Sequence, residues 1–283
     1  MQIFVEPAEI ETFEQSLLVF LDVRWSLDGR VGKDDFLRGH IPGAQFISLD
    51  QELSGTPGRG GRHPLPDDDE LIEVFRTYGI SRDSIIICYD QAEGMAAARC
   101  WALLGHLGHA RTYILRGGLR AWEAADLPVE MGAVDVPVRG DLTQLPPKVQ
   151  ILDKPTFERL AHERVVLDAR GRARYRGEVE PIDHTAGHIP GAYSLPLEYF
   201  VDDVKRPMAA DQWRQRLLRE SVPIDADIPY VTYCGSGVSA ALLMAGLMEA
   251  GFERGAMYIG SWSEWIEDPH SPIATGDERE EIN

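Results

Sequence analysis

Tyr230-Val231-Thr232-Tyr233-Cys234-Gly235-Ser236-Gly237-Val238-Ser239, running straight into Ala240-Ala241-Leu242-Leu243-Met244-Ala245-Gly246-Leu247-Met248, is the stretch whose reading decides the fold. Its first four residues are β-branched or aromatic and predict a short buried strand, and the Ala/Leu/Met run predicts a helix. Cys234 therefore falls on a strand-to-helix turn. Two glycines let that turn fold tightly, so several backbone N–H groups converge on one point, and the helix behind them adds a positive partial charge. Such a bowl favours a thiolate or persulfide at Cys234 and the negative group of a substrate. A lone cysteine is more often a buried structural thiol. Strand, cysteine, two glycines and helix in that order favour the reactive reading instead.

Working outward, the chain is one module written twice. Leu18-Val19-Phe20-Leu21-Asp22-Val23-Arg24 reads like Val165-Val166-Leu167-Asp168-Ala169-Arg170, an apolar strand ending in Asp-x-Arg. Gly39-His40-Ile41-Pro42-Gly43-Ala44 recurs letter for letter as Gly187-His188-Ile189-Pro190-Gly191-Ala192. Ile85-Ile86-Ile87-Cys88-Tyr89 parallels the strand before Cys234, and each copy ends in a tryptophan helix and a proline, Trp122 to Pro128 and Trp265 to Pro272. The offset stays between about 143 and 148 residues throughout. Strands alternating with helical stretches predict a parallel sheet covered by helices on both faces. The joint falls over 132–148, where Val134-Asp135-Val136-Pro137-Val138 and Pro146-Pro147 suit an extended, stiff link. In the first copy Asp90 aligns with Cys234. An aspartate offers no thiolate, so any covalent step on a cysteine of this turn belongs to the second copy. The first copy is expected to complete the cleft.

Composition narrows the partners. The chain has 283 residues, 44% of them hydrophobic, and a net charge of −18. That charge argues against nucleic acid and anionic membranes. The start, Met1-Gln2-Ile3-Phe4-Val5, has no secretory pattern, and a cytoplasmic place is expected. Cys88, Cys100 and Cys234 show no CxxC spacing, which speaks against a disulfide framework or a metal site. The acidic run Asp277-Glu278-Arg279-Glu280-Glu281 reads as a solvated end.

Cys-Gly-Ser-Gly-Val-Ser after a strand resembles the active-site loop of the rhodanese superfamily. Its Gly-Ser-Gly interior is similar to that of the 3-mercaptopyruvate sulfurtransferases, whereas thiosulfate sulfurtransferases usually carry basic residues there. Tyrosine and Cdc25-type phosphatases build comparable bowls but need an arginine about six residues after the cysteine to clamp phosphate. Here that position is Ala240. Motif order resembles the tandem-domain sulfurtransferases over essentially the whole chain. The resemblance implies an α/β protein of two tandem rhodanese-like domains: 1–131 non-catalytic, 132–148 linking, 149–283 catalytic. It implies transfer of sulfane sulfur through a Cys234 persulfide, without cofactor or metal, from 3-mercaptopyruvate or alternatively thiosulfate. The acceptor would be a thiol, such as thioredoxin or a small thiol, or cyanide. A rhodanese-fold binding module without turnover stays open as a different class, against which the intact cysteine speaks.

The resemblance also distributes roles. Gly235, Gly237, Val238 and Ser239 form the substrate-cradling loop with Cys234. An arginine before an aromatic residue holds the substrate carboxylate, which by position is Arg174. The family's second arginine, about nine residues on, is replaced by Asp183, and Arg172 or Arg176 are the candidates to compensate. A Ser-His-Asp relay falls on Ser236, His63 and Asp50, the last two from the first domain. Glycines 55, 58, 60 and 61 make the loop before His63 either a cover for the cleft or a disordered segment. His40 and His188 read as turn residues rather than catalysts. Trp262 and Trp265 read as core.

Overall fold

The duplicated strand-and-helix pattern closes into two sheets of identical topology, in a computed structural model that describes residues 1–135, 137–220 and 222–277. Val136 of the joint and the run Glu278-Arg279-Glu280-Glu281 lie outside the described residues. The first half comprises β1 (Phe4–Val5), β2 (Leu18–Asp22), α1 (Lys33–Arg38), β3 (Gln45–Phe46), α2 (Asp68–Thr77), β4 (Ile85–Tyr89), α3 (Met95–His106), β5 (Thr112–Leu115) and α4 (Gly118–Ala124). The second comprises β6 (Gln150–Leu152), α5 (Lys154–Leu160), β7 (Val165–Asp168), α6 (Arg172–Tyr175), β8 (Tyr193–Ser194), α7 (Ala210–Leu217), β9 (Tyr230–Tyr233), α8 (Ser239–Glu249), β10 (Gly255–Tyr258) and α9 (Ser261–Trp265). The sheets run β1-β5-β4-β2-β3 and β6-β10-β9-β7-β8. All the pairings are parallel, with Asp22 opposite Tyr89 and Asp168 opposite Tyr233.

Strand alternation sorts the core into layers. Ile85, Ile87 and Tyr89 of β4 face a cluster with Phe36 of α1 and Trp122 of α4. Ile86 and Cys88 face the opposite way, toward α2 and α3. In the second half Val231 and Tyr233 pack with Phe157, Tyr175, Trp262 and Trp265, while Tyr230 and Met257 face α7 and α8. The inner cluster is shared by both halves, because α3 and α8 are apolar on nearly every side and pack against each other. A polar latch adds to it: Glu249 of α8 accepts from the N–H groups of Ile3 and Phe4, at 3.1 and 2.8 Å, and from Arg116 Nη2 at 2.6 Å.

The repeated motifs do the same work twice. Arg24 and Arg170 reach back from their Asp-x-Arg to the carbonyls of Gly39 and Gly187, at 2.7 and 2.6 Å. His40 stacks on Phe36 and His188 on Tyr175, each donating from Nδ1 at 2.8 Å to the carbonyl of the residue it stacks on. Trp122 and Trp265 donate to the carbonyls of Pro128 and Pro272, at 2.7 and 2.8 Å, which explains the tryptophan–proline spacing. The joint is strapped to the first half: the N–H groups of Gly140, Leu142 and Leu145 bond to the carbonyls of Arg76, Ile80 and Leu107. No helix among the described residues is long and apolar enough to cross a membrane.

Candidate active site

Cys234 follows β9 directly and is 3% exposed at the floor of a cavity of about 350 Å³ between the halves. The turn beyond it is fixed from behind by the start of α9. Cys234 N–H donates to Ser261 Oγ at 3.1 Å, and the N–H groups of Trp262 and Ser263 donate to the carbonyls of Cys234 and Gly235. Gly237 holds φ +79°, and a Cβ there would collide with the Ile259 carbonyl, so only glycine fits. That conformation turns Gly237 N–H onto Cys234 Sγ at 3.2 Å. An N–H donor on sulfur stabilises negative charge there. Gly235, Val238 and Ser239 line the cavity with Cys234, whereas Gly237 contributes its N–H group from the edge.

The glycine-rich loop of the first half folds over the cleft. Gly58 and Gly61 pair with each other, Gly55 N–H bonds to the Pro64 carbonyl, and Arg62 N–H donates to Ser263 Oγ at 3.0 Å. This carries His63 across the domain boundary, where Nδ1 lies 2.8 Å from Ser236 Oγ and Nε2 lies 3.1 Å from Asp50 Oδ1. Burial, reinforced by the Arg99 charge and opposed by Asp50, pushes the His63 imidazole down to about 4. It is neutral at pH 7, with Nε2–H donating to Asp50 and Nδ1 accepting from the Ser236 hydroxyl. The structure thus brings Ser236, His63 and Asp50 into one chain of contacts, with Ser236 lining the same cavity as Cys234.

Arg174 does not stand free. On α6, it donates from Nε and Nη2 to Glu180, at 3.0 and 2.7 Å, and from Nη2 to Asp183 Oδ2 at 3.1 Å. The expected compensating arginines point elsewhere, which corrects that expectation: Arg172 pairs with Glu220 and Arg176 with Asp277, and neither lines the cavity. Arg172 opens α6 and Arg176 directly follows its last residue, and each is engaged by its own carboxylate away from the cavity lining.

Three cavity neighbours escaped the sequence reading. Arg62 donates to the other oxygen of Asp183 and lines the cavity. Trp25 Nε1 donates to Asp50 Oδ1 at 2.9 Å and sits edge-on to His63, tying down the half-exposed carboxylate. Arg99 is a fully buried cation on α3 that donates to the carbonyls of Leu53, His63, Pro64 and Ser236. No carboxylate among the described residues lies within ion-pair distance of it, and burial pulls its guanidinium down to about 10, against the attraction of Cys234. A single charge inside the apolar run Met95-Ala96-Ala97-Ala98-Arg99-Cys100-Trp101 was the available signal. For Trp25 the signal was its place directly after Asp-x-Arg, and for Arg62 its place beside His63.

With this geometry in hand, comparison with known proteins is specific. A probable 3-mercaptopyruvate sulfurtransferase of Pseudomonas aeruginosa is 42% identical over 272 residues, covering 93% of this chain and 94% of the relative. A putative thiosulfate sulfurtransferase of Mycobacterium tuberculosis is 37% identical over 281 residues, covering 97% and 98%. Among solved structures, an Escherichia coli 3-mercaptopyruvate sulfotransferase superposes with a TM-score of 0.79 at 28% identity, covering 93% of this chain and all of that one. The rhodanese-like domain matches twice, over residues 9–125 and 153–268, each time taking in four of a sheet's five strands, among them the Asp-x-Arg strand. A sequence written twice, folded twice and matched twice belongs to the rhodanese-like family, as an enzyme of its tandem sulfurtransferase type.

Proposed function

We propose that this enzyme moves sulfane sulfur from 3-mercaptopyruvate to a thiol or to cyanide through a persulfide on Cys234. The observation that carries this reading is the Ser236–His63–Asp50 chain ending beside Cys234, since a donor that leaves as a carbanion needs a proton where thiosulfate, leaving as sulfite, does not. Residues 1–131 complete the cleft, 132–148 link, and 149–283 carry the nucleophile. The Cys234 thiolate attacks the donor sulfur, the S–S bond forms, and the C–S bond breaks with its electron pair going to the methylene carbon. The proton given up by the donor thiol is the one that carbon needs to become pyruvate. Ser236 Oγ takes it up while passing its own proton to His63 Nδ1, then protonates the methylene carbon and is reprotonated by His63, which returns to neutral, with Asp50 and Trp25 fixing the ring. The persulfide left behind is an anion, held by the 235–239 N–H groups and the buried Arg99 charge. An acceptor thiolate or cyanide then takes the outer sulfur and returns Cys234, so the kinetics are ping-pong. The three cysteines are free, which suits a reducing cytoplasm.

A second reading, thiosulfate as donor, is favoured by one observation: a carboxylate, Asp183, stands where a second arginine would serve mercaptopyruvate. Steady-state transfer from both donors decides between them. Preference for mercaptopyruvate, with a gain of about 32 Da on Cys234 and none in Cys234→Ser, is expected. Preference for thiosulfate, with Ser236 dispensable, would discard the relay. Transfer from neither would bring the binding-module reading forward.

A further inference from the structure

Arg174 has a second arginine beside it at the position the missing one would serve. Arg62 and Arg174 come from different domains, yet they bind the two oxygens of one carboxylate: Arg62 Nη1 takes Asp183 Oδ1 and Arg174 Nη2 takes Oδ2. Both guanidiniums also crowd the residue after the nucleophile. A Cβ built on Gly235 would lie 2.6 Å from Arg62 Nη2 and 3.6 Å from Arg174 Nη2. Arg62 and Arg174 line the cavity above Cys234, and Asp183 is 5% exposed between them. Three guanidinium nitrogens remain uncommitted among the described residues, Arg62 Nη2 being one of them. Arg62 Nε is buried without a hydrogen-bond partner, and Arg174 Nη1 makes none while Glu180 occupies its Nε and Nη2 edge. A buried guanidinium donor without an acceptor is costly unless a ligand fills it.

We propose that Arg62 and Arg174 form a two-armed clamp for the donor's carboxylate, and that Asp183 is an internal stand-in that occupies the clamp until the donor displaces it. Two arginines on the two oxygens of a carboxylate is the geometry in which a small α-keto acid would be held with its sulfur toward Cys234. Glu180 stays as the permanent partner of Arg174. Exchange of the Asp183 carboxylate for the donor's leaves the local charge unchanged, so displacement does not strand a buried arginine. Asp183 lies in the 176–186 segment, which has no helix or strand to hold it in place. The family's usual pair of arginines on one segment is thus split, with one arm on each domain.

The inference rests on the mercaptopyruvate reading, and the test separates the two. Pyruvate, which carries the carboxylate and carbonyl without the sulfur, is titrated for its protection of Cys234 from iodoacetamide, alongside steady-state transfer from 3-mercaptopyruvate and thiosulfate. Loss of one charged donor in Arg62→Gln should raise the pyruvate concentration for half-protection, and KM for mercaptopyruvate, by about 10- to 100-fold while kcat changes by less than about threefold. Arg62→Lys should recover part of that loss. Removing the competing charge in Asp183→Asn should move both quantities the other way, by about five- to tenfold. Turnover of thiosulfate alone, with pyruvate protection still dependent on Arg62, would discard the donor reading and leave the clamp standing. Protection unchanged in Arg62→Gln, or weakened in Asp183→Asn, overturns the clamp whichever donor is used.

Discussion

The strand-to-helix turn after β4 and the one after β9 are the same device in two states. At the first, the Asp90 carboxylate sits in the bowl and accepts from the N–H groups of Ala92, Gly94, Ala96 and Ala97, at 3.1, 2.9, 3.1 and 3.5 Å. At the second, Cys234 Sγ accepts, among the described residues, from Gly237 alone, and a cavity opens above it. The bowl is an anion receptor in both halves. In the first half it is filled with the chain's own carboxylate, and in the second it presents a thiol to the cavity, the nucleophile of the proposed reaction. A second asymmetry follows from the same offset. Arg99 of α3 reaches over to the partner loop, whereas its counterpart in α8, Leu243, is buried in the apolar seam.

The largest effect should come from moving the nucleophile between the bowls. Cys234→Ser should lower transfer by at least about 10⁴-fold, and adding Asp90→Cys to it should restore nothing. The first bowl has Ala92 where the second has Ser236, and no histidine is bonded beside it. Pyruvate release and mass spectrometry read both outcomes; recovery of a persulfide at position 90 that turns over would break the comparison.

Next come the residues that the first domain lends to the second. Ser236→Ala and His63→Ala should each lower kcat/KM for mercaptopyruvate by about 10²- to 10³-fold. In the wild type, protonating His63 removes the acceptor for the serine proton. Because burial holds its folded-state value at about 4 rather than 6.5, activity should persist as pH falls through 6.5 and be lost only nearer 4. The same depression adds stability that is present above pH 6.5 and lost as pH falls toward 4. A pH–rate profile whose acid limb lies at 6.5 would contradict a buried, neutral His63.

Arg99→Lys sharpens the comparison with a smaller effect. It keeps the charge but loses the fork that gathers the carbonyls of Leu53, His63, Pro64 and Ser236, and kcat/KM should fall by about tenfold. Leu243→Met, on the matching side, should leave kcat/KM within about twofold.

Least of all, Asp90→Asn should leave transfer unchanged and show itself only in stability. Burial pushes the Asp90 carboxyl up to about 6, against the pull of its backbone hydrogen bonds. The folded state therefore favours the protonated acid, and wild type should lose stability relative to Asp90→Asn as pH rises from about 4 to about 6. Parallel pH series of thermal melts measure this; coincident curves would mean that the first bowl does not strain its anion.

What could be read beforehand follows from where the information lies. The two sheets were legible because local pattern and repetition agree: Ile85-Ile86-Ile87 and Tyr230-Val231-Thr232 are buried runs, and the His-Ile-Pro-Gly-Ala turn closes on the tyrosine hydroxyls of Tyr89 and Tyr233, at 3.3 and 3.2 Å. The cysteine turn was legible for the same reason. The meeting of His63 with Ser236, 173 residues apart, came through the family resemblance, since no local pattern specifies a contact across two domains. Arg62 was passed over because the partner that holds it beside Arg174, Asp183, lies 121 residues away. Arg99 carried a local clue, but its target in the other half did not.

The shared seam of α3 and α8 bears on how such a protein descends. Each sheet has an outer face of its own, but the inner apolar cluster runs through both copies, and His63 of the first meets Ser236 of the second. A gene that carried one half alone would encode a protein with the apolar face of α3 or α8 open to water, so the two copies have to be inherited together.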